Sequence, residues 1–276
     1  MTSVVRAVTL HGSLRIPYVE QGDPAGTPVL LLHGYRDSWR SFESVLPLLP
    51  RGLRTVAPTQ RGHGDAGRPA EGYGQRDFAA DAVALMDALG IGRALVVGHS
   101  MGSQVAMRLA QDHPDRVLGL VLVGAFASLG RNAAVREFWD GAVRHLADPV
   151  DRGFVEQFQR SCLARPVPSA FFETVVRESL KPPARVWRAA LRDLMEAGNE
   201  PDLARIAAPT LLLWGDGDAF CPHGEQERLA SGIAGARLVA LRGTGHAPHW
   251  EEPERVAAEI VAIAETIAGA GRRAAA

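Results

Sequence analysis

From Pro28 onward, short apolar runs return along the chain, each closed by turn chemistry: "PVLLLHG", "LRTVAPT", "RALVVGHS", "RVLGLVLVG", "PTLLLWG" and "ARLVALRG". Continuous apolar runs of this length suit strands buried on both faces, and so a mainly parallel sheet. Helical patterns lie between them. In "DFAADAVALMDALG" the apolar positions are Phe78, Val83, Leu85, Met86 and Leu89, with Gly90 as a stop, and "PERVAAEIVAIAETIAG" closes the chain in the same way. Ahead of the alternation, "SVVRAVTLHGSLRIPYVEQG" breaks at His11-Gly12-Ser13 between two β-like runs and predicts an antiparallel hairpin. The tail "AGAGRRAAA" has little to bury and is expected to fray. Strands alternating with helices place the chain in the α/β class.

One segment interrupts this rhythm. Between Ser128 and Ile206 no strand pattern occurs, only helical patches such as "AVREFWDGAVRHL", "DRGFVEQFQRSCL", "SAFFETVVRESL" and "ARVWRAALRDLMEAG". That is too long for an ordinary crossover. The sheet pattern resumes at Thr210, so residues 1–127 and 207–276 are expected to form one core, with 128–206 as a helical lid inserted in it.

Composition narrows the function. The 276 residues carry a formal net charge of −1, which leaves no electrostatic footprint for nucleic acid or an acidic membrane surface. Arginines are scattered singly, and Lys181 is the sole lysine. No stretch reaches the roughly 18 apolar residues of a membrane helix, and "MTSVVRAVTL" has no signal-peptide character. Cys162 and Cys221 lie far apart and read as free thiols in a reducing compartment, so a cytoplasmic setting is expected.

The stretch "VVGHSMGSQVAMRLA" places one serine between glycines where a strand turns into a helix. Such a turn holds Ser100 in a strained backbone conformation, exposes its Oγ at the carboxyl edge of the sheet, and aims the first helical N–H groups at the same spot. Side chains at 98 and 102 would collide with neighbouring backbone. A serine hydroxyl needs a base, and the base needs an orienting acid. His246 follows the last strand and precedes the last helix, so it projects from the same edge. His249 is its nearest rival and is expected on the pocket rim or in water. His33 is expected to support its loop, and His99 to point away from Oγ. Asp216 and Asp218 both follow "LLLWG", and spacing alone does not separate them. No H-E-x-x-H, zinc-spaced cysteine pair or G-x-x-x-x-G-K-[ST] loop is present, so neither a metal nor a cofactor is expected.

With "HGYRDSWRSF", "RGHGDAGRP", "GHSMG", "WGDGD" and "GTGHAPHWEEPE" in this order, the chain resembles the α/β-hydrolase superfamily over nearly its whole length, in the lid-bearing single-domain branch of esterases, cofactor-free haloperoxidase-like enzymes and ring-cleavage-product hydrolases. The resemblance implies an α/β-hydrolase fold and a triad in the order Ser100, Asp218, His246, since the Trp-Gly-x-x-Asp pattern falls on Trp214, Gly215 and Asp218. It implies an oxyanion hole from the backbone N–H groups of Tyr35 and Met101. Thr59 and Ala66 depart from the Asp and Ser common in relatives, and Ser103 stands where many have a second glycine. Serine at position 100 separates the chain from dehalogenases and epoxide hydrolases, whose nucleophile is a carboxylate.

The function expected is a serine hydrolase for a small-molecule substrate, an uncharged and largely apolar ester or lactone. C–C bond hydrolysis of vinylogous diketones and perhydrolysis are alternatives on the same triad, and a hydrolase-like ligand sensor is the alternative outside enzymes. Trp39 and Phe126 near the mouth, with Phe138, Trp139, Phe171, Phe172 and Trp187 of the lid, are candidates for an apolar pocket. Arg36 and Asp37 are the polar specificity candidates, unless they form a solvated loop.

Overall fold

The computed structural model describes residues 4–130 and 132–275. Eight strands, β1 (Val5–Leu10), β2 (Leu14–Gly22), β3 (Thr27–Leu32), β4 (Leu53–Pro58), β5 (Ala94–His99), β6 (Val117–Val123), β7 (Thr210–Gly215) and β8 (Arg237–Leu241), form one sheet in the order β1-β2-β4-β3-β5-β6-β7-β8. The first two strands make the hairpin, turning through His11 and Gly12 at φ 50° and 78°. β2 also pairs antiparallel with β4, and every other pairing is parallel.

The central strands are apolar throughout because both faces are covered. Leu30, Val96, Leu120 and Leu122 point into one core, while Val29, Leu31, Leu95, Val97, Val121 and Val123 point into the other. The period-2 alternation of a strand thus feeds two layers. Helices α1 (Gln75–Ala88) and α2 (Met101–Asp112) pack on the first face. Between β6 and β7 come four further helices, α3 (Ala133–Gly141), α4 (Arg152–Ser161), α5 (Ser169–Ser179) and α6 (Ala184–Glu196). After them follow α7 (His223–Gly232), α8 (Pro248–Glu251) and α9 (Pro253–Ala275). Val256, Ala257, Ile260 and Ala264 of α9 cover the second face. The described part of the tail is helical, and α9 runs to Ala275, in keeping with alanine's high helix propensity. Among the described residues no helix is long and apolar enough to cross a membrane.

Three of the four helices between β6 and β7 begin where side chains satisfy their first N–H groups. Asn132 Oδ1 accepts from Val135 N, Asp151 Oδ1 from Phe154 N, and Asp148 Oδ1 from Ala184 N at 3.1, 2.8 and 2.6 Å. Val135, Val155, Val176 and Trp187 share one continuous core with β5, β6, α1 and α2. Two hydrogen bonds fasten the helices to the loop after β3: Tyr35 Oη donates to the Trp187 carbonyl (2.7 Å), and Ser179 Oγ to the Arg36 carbonyl (2.8 Å).

The turn from β5 into α2 has almost no free space. A Cβ on Gly98 would lie 2.2 Å from the Gly102 carbonyl oxygen, and one on Gly102 would lie 2.1 Å from that of Leu32. Both obstacles are backbone, so neither can swing aside. Ser100 between them adopts φ 51°, ψ −114°, a conformation that costs a non-glycine residue roughly 1–3 kcal/mol. Gly102→Ala is therefore expected to lower unfolding free energy by about 1–3 kcal/mol, the range for overpacking. Gly141→Ala meets nothing within 4 Å and is expected to change stability by less than about 1 kcal/mol. Urea denaturation of the two variants side by side checks both.

Candidate active site

Three chain segments converge on the carboxyl edge of the sheet. Ser100 sits at the end of β5, Asp218 in the turn after β7, and His246 in the loop after β8. His246 Nε2 lies 2.9 Å from Ser100 Oγ, and His246 Nδ1 lies 2.8 Å from Asp218 Oδ2. A carboxylate can only accept, so Nδ1 carries the proton and Nε2 is left as the acceptor for the serine hydroxyl. Asp218 Oδ1 is filled by the backbone N–H groups of Phe220 and Cys221 (2.8 and 2.9 Å). Burial alone would raise its pKa, but the neighbouring His246 and these hydrogen bonds hold the carboxyl below its usual range. Asp216 does something else: its Oδ1 accepts from Gly243 N and ties the two turns together.

The surrounding histidines act as braces. His99 turns from Oγ and donates through Nε2 to the His246 carbonyl (3.0 Å). His33 donates through Nδ1 to the Gly34 carbonyl and accepts from Gln60 N through Nε2 (2.8 and 2.9 Å), and burial lowers its pKa to about 4, so it stays neutral. This supports the loop carrying Tyr35. His249 is not on a rim: it is fully buried, 3.0 Å from Ser41 Oγ and packed on Phe42 and His99. Met101 opens α2, so its N–H is among those a helix cannot satisfy internally.

Ser100 opens into a cavity of about 50 Å³. Phe126 lines it, as do the Tyr35 side chain and, from the helices above, Phe138, Phe158, Leu191 and Leu194. The three tryptophan candidates are elsewhere. Trp39, in the 3₁₀ turn Trp39–Phe42, lines an outer groove beside Thr59 and carries Arg40 on its ring at 4.6 Å. Trp139 is half-buried under Arg192, against the core but outside the cavity lining. Trp187 is fully buried, but behind the cavity wall, edge-on to Tyr35 and Phe158 at 5.5 and 5.7 Å. Phe171 packs on Trp250 and Phe172 beneath Arg160, also outside the lining. Phe158, Leu191 and Leu194 went unread as lining residues. The i, i+3 pairs Val135/Phe138 and Leu191/Leu194 were the available signal.

Arg36 and Asp37 are not a solvated loop. Arg36 is fully buried at φ 73°, its guanidinium over the rings of Tyr35 and Trp187 (4.5 and 5.0 Å) and its Nη2 donating to His63 Nε2 (2.5 Å). Burial lowers its pKa to about 10, which leaves it charged at neutral pH. It does not line the cavity, whereas Asp37 does. Cys162 and Cys221 are free, buried and cavity-lining. Among the described residues, one group is tight enough to hold a metal, with Asp218, Cys221 and His246 donor atoms within 4.8 Å. It does not suit one. Asp218 and His246 are bonded to each other, and burial pushes the Cys221 thiol up, away from the thiolate a metal needs.

Comparison with known proteins agrees with this architecture. Residues 27–253 match the alpha/beta hydrolase fold family. The chain is 31% identical over 252 residues to 2-hydroxymuconate semialdehyde hydrolase of Pseudomonas sp. (strain CF600), covering 84% of each protein. It is 31% identical over 257 residues to pimeloyl-[acyl-carrier protein] methyl ester esterase of Aromatoleum aromaticum, covering 84% of this chain and 96% of that one. The crystal structure of esterase RhEst1 from Rhodococcus sp. ECU1013 superimposes with a TM-score of 0.85 at 28% identity, covering 95% of this chain and 99% of that one. From β3 through the turn at Ser100 to the loop that carries His246, the chain belongs to the α/β-hydrolase fold family.

Proposed function

We propose that the protein is a serine hydrolase that cleaves short-chain, uncharged carboxylic esters through an acyl-enzyme on Ser100. The observation that carries this reading is the unbroken hydrogen-bonded chain from Asp218 through His246 to Ser100 Oγ. His246 Nε2 takes the hydroxyl proton as Oγ attacks the ester carbonyl, and Asp218 stabilises the imidazolium that forms. The backbone N–H groups of Tyr35 and Met101 bind the oxyanion, whose charge exists only in the tetrahedral state. His246 then protonates the leaving alcohol and activates water for deacylation.

The cavity supports the substrate class. Among the described residues its walls are mainly aromatic and aliphatic, and neither lysine nor arginine lines it. At about 50 Å³ it is well below the roughly 150 Å³ of an engineered cavity that admits benzene, so acyl groups of about two to four carbons fit best. Ring-cleavage dienoates are acids, and the cavity offers them the Asp37 carboxylate instead of a cation. This favours ester over C–C cleavage, a choice the relatives do not make, since 2-hydroxymuconate semialdehyde hydrolase and the pimeloyl ester esterase are both 31% identical to the chain.

A fluorophosphonate probe is expected to label the protein once, at Ser100, and Ser100→Ala to abolish labelling, as read by mass spectrometry of the labelled peptide. His246→Ala and Asp218→Asn are each expected to lower kcat by about 10⁴-fold or more, with Asp216→Asn within about tenfold of wild type. A reversed order for the two aspartates would overturn the assignment of the acid. Phe138→Ala is expected to shift the preferred p-nitrophenyl ester to longer acyl chains, because its ring walls the cavity. Trp139→Ala should leave that ranking unaltered.

A further inference from the structure

Apart from the hydrogen-bonded chain to Ser100, the cavity contains an ionisable group whose bonding is incomplete. Asp37 is 3% exposed and lines the cavity. Its Oδ2 accepts from Ser41 Oγ at 3.1 Å, and its Oδ1 has only a long contact from Gln159 Nε2 at 3.4 Å. An ionised carboxylate has about four acceptor sites, and buried polar groups are ordinarily filled. Neither neighbour is free to give more. Ser41 Oγ also lies 3.0 Å from both His249 Nε2 and Trp250 Nε1, and Gln159 Nε2 donates to Ser179 Oγ at 2.7 Å.

His99 faces the same gap. Its Nε2 is bonded to a carbonyl and so carries the proton. Burial lowers its pKa by more than Asp37 raises it, which keeps the ring neutral and makes Nδ1 an acceptor. That Nδ1 has no partner and stands 3.7 Å from Asp37 Oδ2. Two acceptors therefore confront each other beside the cavity, and among the described residues no protein donor bridges them. The charge of a fitting donor follows from Arg36, a fully buried cation adjacent to Asp37 in the chain. A second cation would leave this buried region with excess positive charge, so a neutral donor fits.

We propose that Asp37 is a specificity-determining residue that accepts a hydrogen bond from a hydroxyl on the substrate's acyl chain, making short hydroxyacyl esters the preferred substrates. This deepens the serine-esterase reading of the same cavity and rests on it. The acyl side is assigned because the small cavity over Ser100, which Asp37 lines, has room for a short acyl chain. A site built around a substrate hydroxyl discriminates against the analogue lacking it, because its own polar group is then left unpaired.

The test compares p-nitrophenyl esters of 3-hydroxybutyrate, butyrate and 3-aminobutyrate on the full chain. The hydroxyacyl ester is expected to exceed butyrate in kcat/KM by about tenfold or more, the range for a hydrogen bond to a charged group, and to exceed the amino ester as well. Asp37→Leu should reverse the first ratio, while Asp37→Asn, whose carboxamide oxygen still accepts, should keep part of it. Variants that fold by circular dichroism and retain the wild-type ratio would overturn the proposal. So would equal rates on the hydroxylated and plain butyrates in the wild type, which needs no variant to fold, or a preference for the amino ester. Probe labelling of wild-type Ser100 separates the two levels. Without labelling the esterase reading fails, whereas a labelled enzyme indifferent to the hydroxyl removes this inference alone.

Discussion

The backbone of Ser100 is held at φ 51°, and much of the sheet's carboxyl edge is arranged around that strain. Ser100 N donates to the Val123 carbonyl of β6 (2.9 Å), while Ser103 N and Ser103 Oγ both donate to the Ser100 carbonyl (2.8 and 2.6 Å). The glycines on either side let β3 and α2 close to within backbone contact. Three strands and one helix thus determine where a single hydroxyl points. Strain of this kind persists only where the surroundings over-determine it. The same packing puts the first N–H groups of α2 beside Oγ, so in the proposed reaction one steric arrangement would serve both the nucleophile and the stabilisation of charge that forms on its substrate.

A second constraint is electrostatic. His33, His63, His99 and His249 are all buried, and burial lowers the pKa of each. Neutral imidazoles offer one donor and one acceptor, which suits them to bracing loops without burying charge. His33 positions the loop after β3, and His99 steadies the His246 backbone. Arg36 is the exception, a buried cation between aromatic rings whose Nε and Nη1 have no partner. Its carbonyl and the Tyr35 hydroxyl carry the two bonds to α5 and α6, so the same loop that offers the Tyr35 N–H also anchors the helices that roof the cavity.

Much of this was legible in the chain. Runs such as "ALVVGH" read as strands because a strand covered on both faces has no polar side to show, and β5 is buried at every position. Ser100 was legible because Gly98 and Gly102 mark a turn that other residues cannot make. His246 and an aspartate after "LLLWG" were legible because each follows a strand, and parallel strands deliver their carboxyl ends to one edge, whereas the choice of Asp218 over Asp216 came only from the family resemblance. The strand-free segment between β6 and β7 likewise showed in its helical spacing.

What only the packed molecule decided is which way individual side chains face. Phe138 and Trp139 are neighbours about 100° apart around α3. Periodicity shows that they lie on different faces, but not which face α4 and α6 turn towards Ser100. Packing chose Phe138 and left Trp139 beneath Arg192. Trp187 is enclosed by Tyr35, Phe154 and Phe158, residues distant in the chain that meet only once the helices are seated. Arg36 and Asp37 look alike as adjacent charges in a loop, yet one is sealed behind the wall and the other lines the cavity. Short-range sterics and periodicity are written locally and can be read there. The orientation of a helix over a cavity is set by long-range contacts, and those exist only in the assembled core.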